Sequence, residues 1–474
     1  MTAFTKQSPN YIPEIQQQFT QALQEYKAGN FQQVEEILNS ILINNPLCVE
    51  ALKLRAMLAH RTNNLEIAIS DYNKIISILP NEADSYYKLG VLYEQLQSYE
   101  EAIICLRNLL KLLPDSFNYR NRLACVLAKQ GRLEEALDLF NQLLIIEPDN
   151  SRIRWNRSLT LLKKGNYQEG LPDYECRKHI SLFPYLLDCP QPMWDGSDLN
   201  GKTILLHHGD DGFGDIIQFI RFAPLVAQKG GRVIFVCTKP LFRLFQTVSG
   251  IAQLVDTKSE LLNFDVYVPL LSLPYYLGTT LETIPAKVPY ITLPQIEPEK
   301  GCTLPLITEP ESAKTKLKVG IVWMSGGRER ISHLDCDRDC PLSLFMSLLS
   351  IPEISLYSLQ VGKLSSEIDE FKHQARLYDL TPQIKDFADT AALISQLDLI
   401  ISVDTAVAHL AGALRVPVWT LLPRDADWRW LQNRNDSPWY STMRLFRQRQ
   451  HGDWTSVFEQ VIPALKQHLA SYRG

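Results

Sequence analysis

Four prolines, Pro46, Pro80, Pro114 and Pro148, follow one another at a constant interval of 34 residues. A fixed period of this length marks an array of helical hairpins. A single hairpin cannot bury its own apolar face, so the first third of the chain must fold by stacking neighbours. The third unit is the clearest, ADSYYKLGVLYEQLQSYEEAIICLRNLLKLLP. There Leu89, Gly90 and Tyr93 stand at packing positions of the first helix, and Ala102 is the small residue where two helices cross. The second unit supplies Ala56, Ala68 and Tyr72, and the fourth supplies Ala124, Ala136 and Phe140. Gly29 and Gly131 mark turns between helices. The first unit has Ala22 but Val34 at the crossing, as expected of a terminal cap. The units lie near 15–48, 49–82, 83–116 and 117–150. A partial fifth, 151–180, carries Trp155, Gly165, Tyr167 and Tyr174 but no proline, and is expected to dock the array onto the next domain. Stacked hairpins offer a curved surface for a protein or peptide; the plainer alternative is a brace for that domain.

Length and composition bound the rest. A chain of 474 residues is too long for one core. It is 45% hydrophobic and 21% charged with a net charge of −5, which gives no global reason to expect nucleic acid or an anionic membrane as partner. Nine cysteines without a C-x-x-C pair fit a reducing compartment. The N-terminal stretch shows no signal-peptide pattern, and Asp404, His409 and Arg415 interrupt the longest apolar stretches. The expectation is a cytoplasmic protein without a transmembrane segment.

After about residue 181 the texture changes to short apolar strands alternating with helices, which argues for parallel sheets. Thr203–His207 reads as a strand, HGDDGFGD as a Gly-rich turn, Asp215–Gln228 as a helix and Arg232–Cys237 as the next strand. A first α/β lobe is expected over 181–293, a Pro/Glu/Lys/Thr-rich linker over 294–316, and a second lobe with a C-terminal helix over 317–474. Two lobes leave a cleft, a usual place for a ligand.

Three segments carry candidate chemistry. In DLIISVDTAVAHLAGALRVPVWTLL a strand (Leu399–Val403) stops at Asp404, a helix runs from Thr405 to Leu414, and a second strand comes next. Asp404 stands where an N-cap belongs. Free amides at such a helix start suit a phosphate, and Thr405 and His409, four apart, share a face. The bland alternative is a capped helix with a core histidine. The second segment is the turn Gly209–Asp215, where glycines allow close backbone approach and Asp215 projects from the carboxyl end of a strand. The G-x-G-x-x-G fingerprint is absent, and three aspartates would repel a pyrophosphate, so a carboxylate here suits proton abstraction. Its plain alternative is a helix-start aspartate. The third segment is the polar loop SGGRERISHLDCDRDCP. His333, Asp335, Cys336, Asp337 and Cys340 match no zinc spacing, and a ligand loop built on Ser325, Gly326, Gly327 and Arg328 or Arg338 is preferred. Downstream, residues 424–449 hold six arginines, Arg424 among them, against three aspartates; arginine forks suit a diphosphate. Trp428, Trp430 and Trp439 read as packing rather than as base-stacking residues.

Together these segments resemble bacterial tetratricopeptide proteins fused to a heptosyltransferase-like glycosyltransferase of the GT-B type. The resemblance is carried by LNGKTILLHHGDDGFGDIIQFIRFAPL, FDVYVPLLSLP, DFADTAALISQLDLIISVDTAVAHLAGALRVPVWTLLP with RDADWRWL, and DSPWYSTMRLFRQ. It implies an α plus α/β protein: a helical solenoid over 1–180, then two Rossmann-like lobes, acceptor side first and donor side second. It implies Asp215 as base, with Asp211, Gly212 and Gly214 in the acceptor-side loop. It implies Asp404, Thr405 and the amides of Ala406 and Val407, with His409 behind them, as holders of the donor diphosphate. Ser325, Gly326 and Arg338 would face the donor, and Arg424 would add charge. Two departures stand out: Asp210-Asp211-Gly212 where the family usually has Glu-Gln-Gly, and Arg415 where the helix commonly ends in Gly.

The implied activity is sugar transfer from a nucleotide sugar to a hydroxyl of a protein or glycan, inverting, without metal or other cofactor, with the repeats recruiting the acceptor. The alternatives are a non-catalytic repeat adaptor and a nucleotide-sugar epimerase.

Overall fold

In the computed structural model eight helices pair into four antiparallel hairpins: α1 (Pro13–Ala28) with α2 (Phe31–Asn44), α3 (Val49–Arg61) with α4 (Leu65–Ile78), α5 (Ala83–Gln95) with α6 (Tyr99–Leu112), and α7 (Phe117–Gln130) with α8 (Leu133–Ile146). The structure describes residues 13–180, 190–209, 212–256, 263–295, 303–308, 316–325 and 338–472. Two compact units divide the chain, Met1–Ile153 and Arg154–Gly474.

The proline ladder has a simple cause. Each proline lies two residues past the second helix of its hairpin, inside a turn closed by Cys48 N–H to Asn45 O, Glu82 N–H to Leu79 O, Ser116 N–H to Leu113 O and Asn150 N–H to Glu147 O, at 3.1, 3.1, 3.3 and 3.2 Å. Proline is the second residue of each turn, where its fixed φ fits and no N–H is needed. A second series with the same period sets the turn inside each hairpin. Gly29, Asn63, Gln97 and Gly131 all have positive φ, and Gly165 continues the series. Asn63 and Gln97 hold this backbone without being glycine.

Ala22, Ala56, Ala68, Ala102, Ala124 and Ala136 are buried where helices cross, as is Val34 at the first crossing. One polar tie joins three helices: Arg55 of α3 grips buried Asp71 of α4 with two bonds of 2.7 and 2.8 Å and reaches Asn39 of α2 at 2.9 Å.

The second unit begins with the fifth hairpin, α9 (Ser151–Lys164) and α10 (Tyr167–Tyr174), clamped by Arg154 and Arg157 on buried Asp173. Tyr167 and Tyr174 meet Trp428 edge-on, at 5.8 and 6.0 Å between ring centroids. This hairpin is thus built into the core of the α/β region.

Two parallel sheets complete the unit. The first contains β1 (Thr203–His207), β2 (Arg232–Cys237), β3 (Gln253–Asp256) and β4 (Val266–Pro269) in the order β3-β2-β1-β4. The second contains β5 (Leu317–Val322), β6 (Ile354–Ser358), β7 (Leu377–Asp379), β8 (Leu399–Val403), β9 (Val418–Leu422) and β10 (Met443–Arg447) in the order β10-β9-β8-β5-β6-β7. Near-continuous apolar runs suit strands covered on both faces, and all five residues of β8 are buried. In each sheet the strand order reverses beside the first strand, between β1 and β4 and between β5 and β8. Ligands of open α/β sheets bind outside the carboxyl ends of strands at such reversals.

The helix expected over Asp215–Gln228 is two helices. α11 (Phe213–Phe219) starts two residues earlier, and a 3-10 turn (Ile220–Phe222) separates it from α12 (Ala223–Gln228). Pro224 has no N–H to continue the α-helical ladder, which accounts for the break. In the second lobe α16 (Phe387–Ile394) and α17 (Ala406–Ala413) flank β8 in the chain, and α18 (Thr455–Tyr472) is the expected C-terminal helix. Among the described residues no helix is long and apolar enough to cross a membrane.

Candidate functional site

The chain leaves β8 at Asp404 and enters α17 at Ala406. Asp404 is not the cap of that helix. Thr405 holds the N-cap position in an extended backbone, and its hydroxyl lies 2.8 Å from Ser402 Oγ. Asp404 is instead buried and accepts the indole N–H of Trp430 at 2.9 Å. Burying a carboxylate is costly unless it is hydrogen-bonded, and the indole, fixed in the core, meets that need better than a frayed helix start. Arg338 Nη1 stands 3.9 Å from the same oxygen.

His409 of α17 is buried, its ring stacked on Trp430 at 5.2 Å and its Nδ1 2.8 Å from the Tyr440 hydroxyl. Its Nε2 lies 3.7 Å from Asp404 Oδ1. Burial, then the Arg429 and Arg221 guanidiniums, push the imidazole well below its ordinary range, so it is neutral at pH 7.

α11 packs directly on α17. The contact needs a glycine: a Cβ on Gly214 would sit 3.0 Å from His409 Cδ2 and 3.6 Å from Ala406 Cα. Gly212 caps α11, and Asp215, third in the helix, reaches back to accept the Gly212 N–H at 3.3 Å. The other Asp215 oxygen accepts Arg429 Nη2 at 2.7 Å. Arg429 is buried on a short 3-10 turn (Trp428–Trp430), with Nε 3.4 Å from Asp427. Burial works against its charge, and the carboxylates of Asp427, Asp215 and Asp404 outweigh it, so its pKa rises above the ordinary value.

Ser325, just past β5, gives its N–H and hydroxyl to Asp339 at 2.9 and 3.1 Å. It thus lies at the carboxyl end of the strand beside β8. Asp215, Gly214, Asp404, Thr405, Ala406, His409 and Arg338 therefore come together, with Val407 on the first turn of α17. Arg424 is turned elsewhere: it is exposed past β9 and donates to the Arg449 carbonyl at 2.7 Å. Asp211 and Gly326 lie outside the described residues, as do Gly327, Arg328, His333, Asp335, Cys336 and Asp337. Trp428, Trp430 and Trp439 are buried packing residues.

The sequence reading counts Arg429 among the arginines suited to a diphosphate and Trp430 among the packing residues; the structure pairs them with Asp215 and Asp404, and Tyr440, which the sequence does not single out, with His409.

The tetratricopeptide repeat family model matches residues 19–83, 87–151 and 121–175. The model of glycosyltransferase family 9 (heptosyltransferase) matches residues 364–430, a segment that contains Asp404 to His409 and ends at Trp430. Protein FlbA of Caulobacter vibrioides is 25% identical over 315 residues, 61% of this chain and 51% of that protein, so the chain spans about half the length of the curated relative it matches. Among solved structures, MamA (AMB-1) is 21% identical with a TM-score of 0.31, covering 35% of this chain and 97% of its own. YrrB, described as a tetratricopeptide protein with an unusual peptide-binding site, is 18% identical with a TM-score of 0.32, covering 35% and 85%. The chain thus combines tetratricopeptide repeats with a glycosyltransferase-like α/β region.

Proposed function

We propose that this protein is an inverting, metal-independent glycosyltransferase that moves a sugar from a nucleotide-sugar donor to a hydroxyl of a protein or glycan brought by the repeats. The observation that supports it best is the approach of α11 to α17, with Gly214 against His409. It sets Asp215, at the first lobe's strand reversal, beside the β8–α17 junction at the second lobe's reversal.

In this reading the donor diphosphate lies at the α17 start, where the Ala406 and Val407 amides, the helix dipole and Arg338 offset the charge that develops as the glycosidic bond breaks. The acceptor oxygen attacks the anomeric carbon from the opposite face and loses its proton to Asp215, while the nucleoside diphosphate leaves with the bonding pair. Thr405 and Ser325 line the donor side, and Gly212 lets the acceptor approach the α11 backbone. The repeats raise the local concentration of acceptor.

A second reading has an observation of its own. One oxygen of Asp215 is already held by Arg429, which is also what a purely structural pair in a non-catalytic adaptor would show.

One experiment separates the two. UDP-, GDP- and ADP-sugars are screened for thermal stabilisation and for release of nucleoside diphosphate, with D215N beside the parent. The enzyme reading expects stabilisation by at least one donor in both proteins and release only in the parent. Release by D215N at the parental rate would remove Asp215 as base, and no response to any nucleotide would leave the adaptor.

A further inference from the structure

Asp215 and Asp404 belong to different lobes, yet consecutive residues hold them. Arg429 Nη2 binds Asp215 Oδ1 at 2.7 Å, and Trp430 Nε1 binds Asp404 Oδ2 at 2.9 Å. The turn that carries both is held from behind. Trp428 meets Tyr167 and Tyr174 of the fifth hairpin edge-on and lies 6.2 Å from Trp439. Asp427 accepts the Arg429 backbone N–H at 3.1 Å and faces its Nε at 3.4 Å. The guanidinium itself lies over the rings of Trp428 and Phe219, at 5.5 and 5.9 Å. Arg429 is therefore confined by its backbone bond to Asp427, by the rings on either face of its guanidinium and by the packing of both neighbours.

A guanidinium held this way brings its Nη2–H to one oxygen of Asp215 from a fixed direction. Asp215 is gripped at both oxygens, by Arg429 on one and the Gly212 N–H on the other. Its carboxylate plane is thereby set relative to the α17 start.

We propose that Arg429 is the positioning residue of the transfer reaction: it aims the Asp215 carboxylate, and its turn fixes the separation between the proton acceptor and the donor-side carboxylate. The proposal rests on the reading of Asp215 as base. It also gives the fifth hairpin a role in that geometry, because Tyr167 and Tyr174 hold the turn from the side away from the cleft.

Other charged or titratable groups around the pair are Asp427 on the same turn, Asp404 past β8, His409 on α17, Arg221 after α11, Arg338 and Tyr174.

The test uses the full chain and the nucleotide sugar of the UDP-, GDP- and ADP-sugar panel that gives nucleoside diphosphate release. kcat and donor KM are measured for the parent, D215N, R429Q and R429K. For R429Q the expected result is a fall in kcat of about 10- to 100-fold with donor KM nearly unchanged, because Trp430 still holds Asp404. R429K keeps the charge and loses the planar guanidinium, so its kcat should fall by about tenfold at unchanged donor KM. A purely structural arginine would lower the melting temperature and leave the kcat of the folded protein at the parental value. R429Q with parental kcat, beside an inactive D215N, overturns the positioning role and leaves the base in place. An active D215N overturns the base reading instead. Should R429Q not fold, R429K decides: full kcat in R429K overturns the proposal.

Discussion

His409 Nδ1 lies 2.8 Å from the Tyr440 hydroxyl, and this bond sets which edge of the imidazole meets Asp404. Nε2 stands 3.7 Å from Asp404 Oδ1, beyond hydrogen-bond reach, so the Tyr440 hydroxyl is the hydrogen-bond partner of the ring. Tyr440 is fixed in turn: a Cβ on Gly412 would sit 2.5 Å from its Cδ1, so its ring lies directly on the α17 backbone.

Replacing Tyr440 with Phe keeps that packing and removes the hydroxyl. A buried ring nitrogen is then left without a partner, at a cost of about 1–3 kcal/mol. The expected outcome is a lower melting temperature for Y440F, with far-ultraviolet circular dichroism unchanged. A melting temperature equal to the parent's would mean that the hydroxyl does not hold the ring.

Arg415 offers the opposite sign. It lies just past α17 with φ of 66°, its N–H bonded to Gly412 O and the Val416 N–H to Ala411 O. This is a helix end closed through a left-handed residue, the place where glycine is favoured. An L-residue there costs roughly 1–2 kcal/mol, and glycine returns part of that through its freedom in the unfolded chain. Arg415 is exposed, so little contact is lost. R415G should therefore stabilise the protein by about 0.5–1 kcal/mol, read as a higher melting temperature. A lower one would show that the arginine side chain makes a contact worth more than the strain.

What the sequence reveals and what it hides divide along the range of the interaction. The prolines are legible because the turn each one makes is closed within four residues. Strands β1 and β8 are legible because continuous apolar runs bounded by polar turns leave few alternatives. Gln97 is not, since the hairpin geometry imposes a positive φ against its own preference, whereas Asn63 is of a type that tolerates it. The partner of Asp404 is 26 residues away and that of Asp215 is 214 residues away. Local rules therefore offer Asp404 the nearest helix start, and only the fold supplies the indole and the guanidinium.

Two buried histidines make stability depend on pH. Burial lowers His207 to about 4, with His208, Lys178 and Arg177 adding to the effect, and His409 is likewise pushed well down. In the unfolded chain both titrate near 6.5. As pH falls through that value the unfolded state gains protons that the folded state refuses, so stability declines from about pH 6.5 towards pH 4. Each histidine adds a slope of up to about 1.4 kcal/mol per pH unit. His207→Phe, which keeps a ring near Tyr267, should flatten the fall in melting temperature between pH 7 and pH 5 relative to the parent. An identical pH dependence in the variant would count against a neutral buried His207.

Trp430 separates holding the fold from holding the donor. Its ring stacks on His409 at 5.2 Å, and its N–H binds Asp404 Oδ2 at 2.9 Å. Trp430→Phe preserves much of the ring surface and removes the N–H. Among the described residues Asp404 then keeps the more distant Arg338 and His409, at 3.9 and 3.7 Å. Hydrogen bonds to charged groups contribute about 1.5–3 kcal/mol, so a drop in stability of that order is expected. If Asp404 shapes the α17 start for a diphosphate, W430F should also bind nucleoside diphosphate about tenfold more weakly, measured by calorimetry at a temperature where both proteins are folded. The Asp215 side should be untouched, because Arg429 remains in place. Parental affinity in W430F, together with a lowered melting temperature, would confine the Trp430–Asp404 bond to stability and move the diphosphate away from the α17 start.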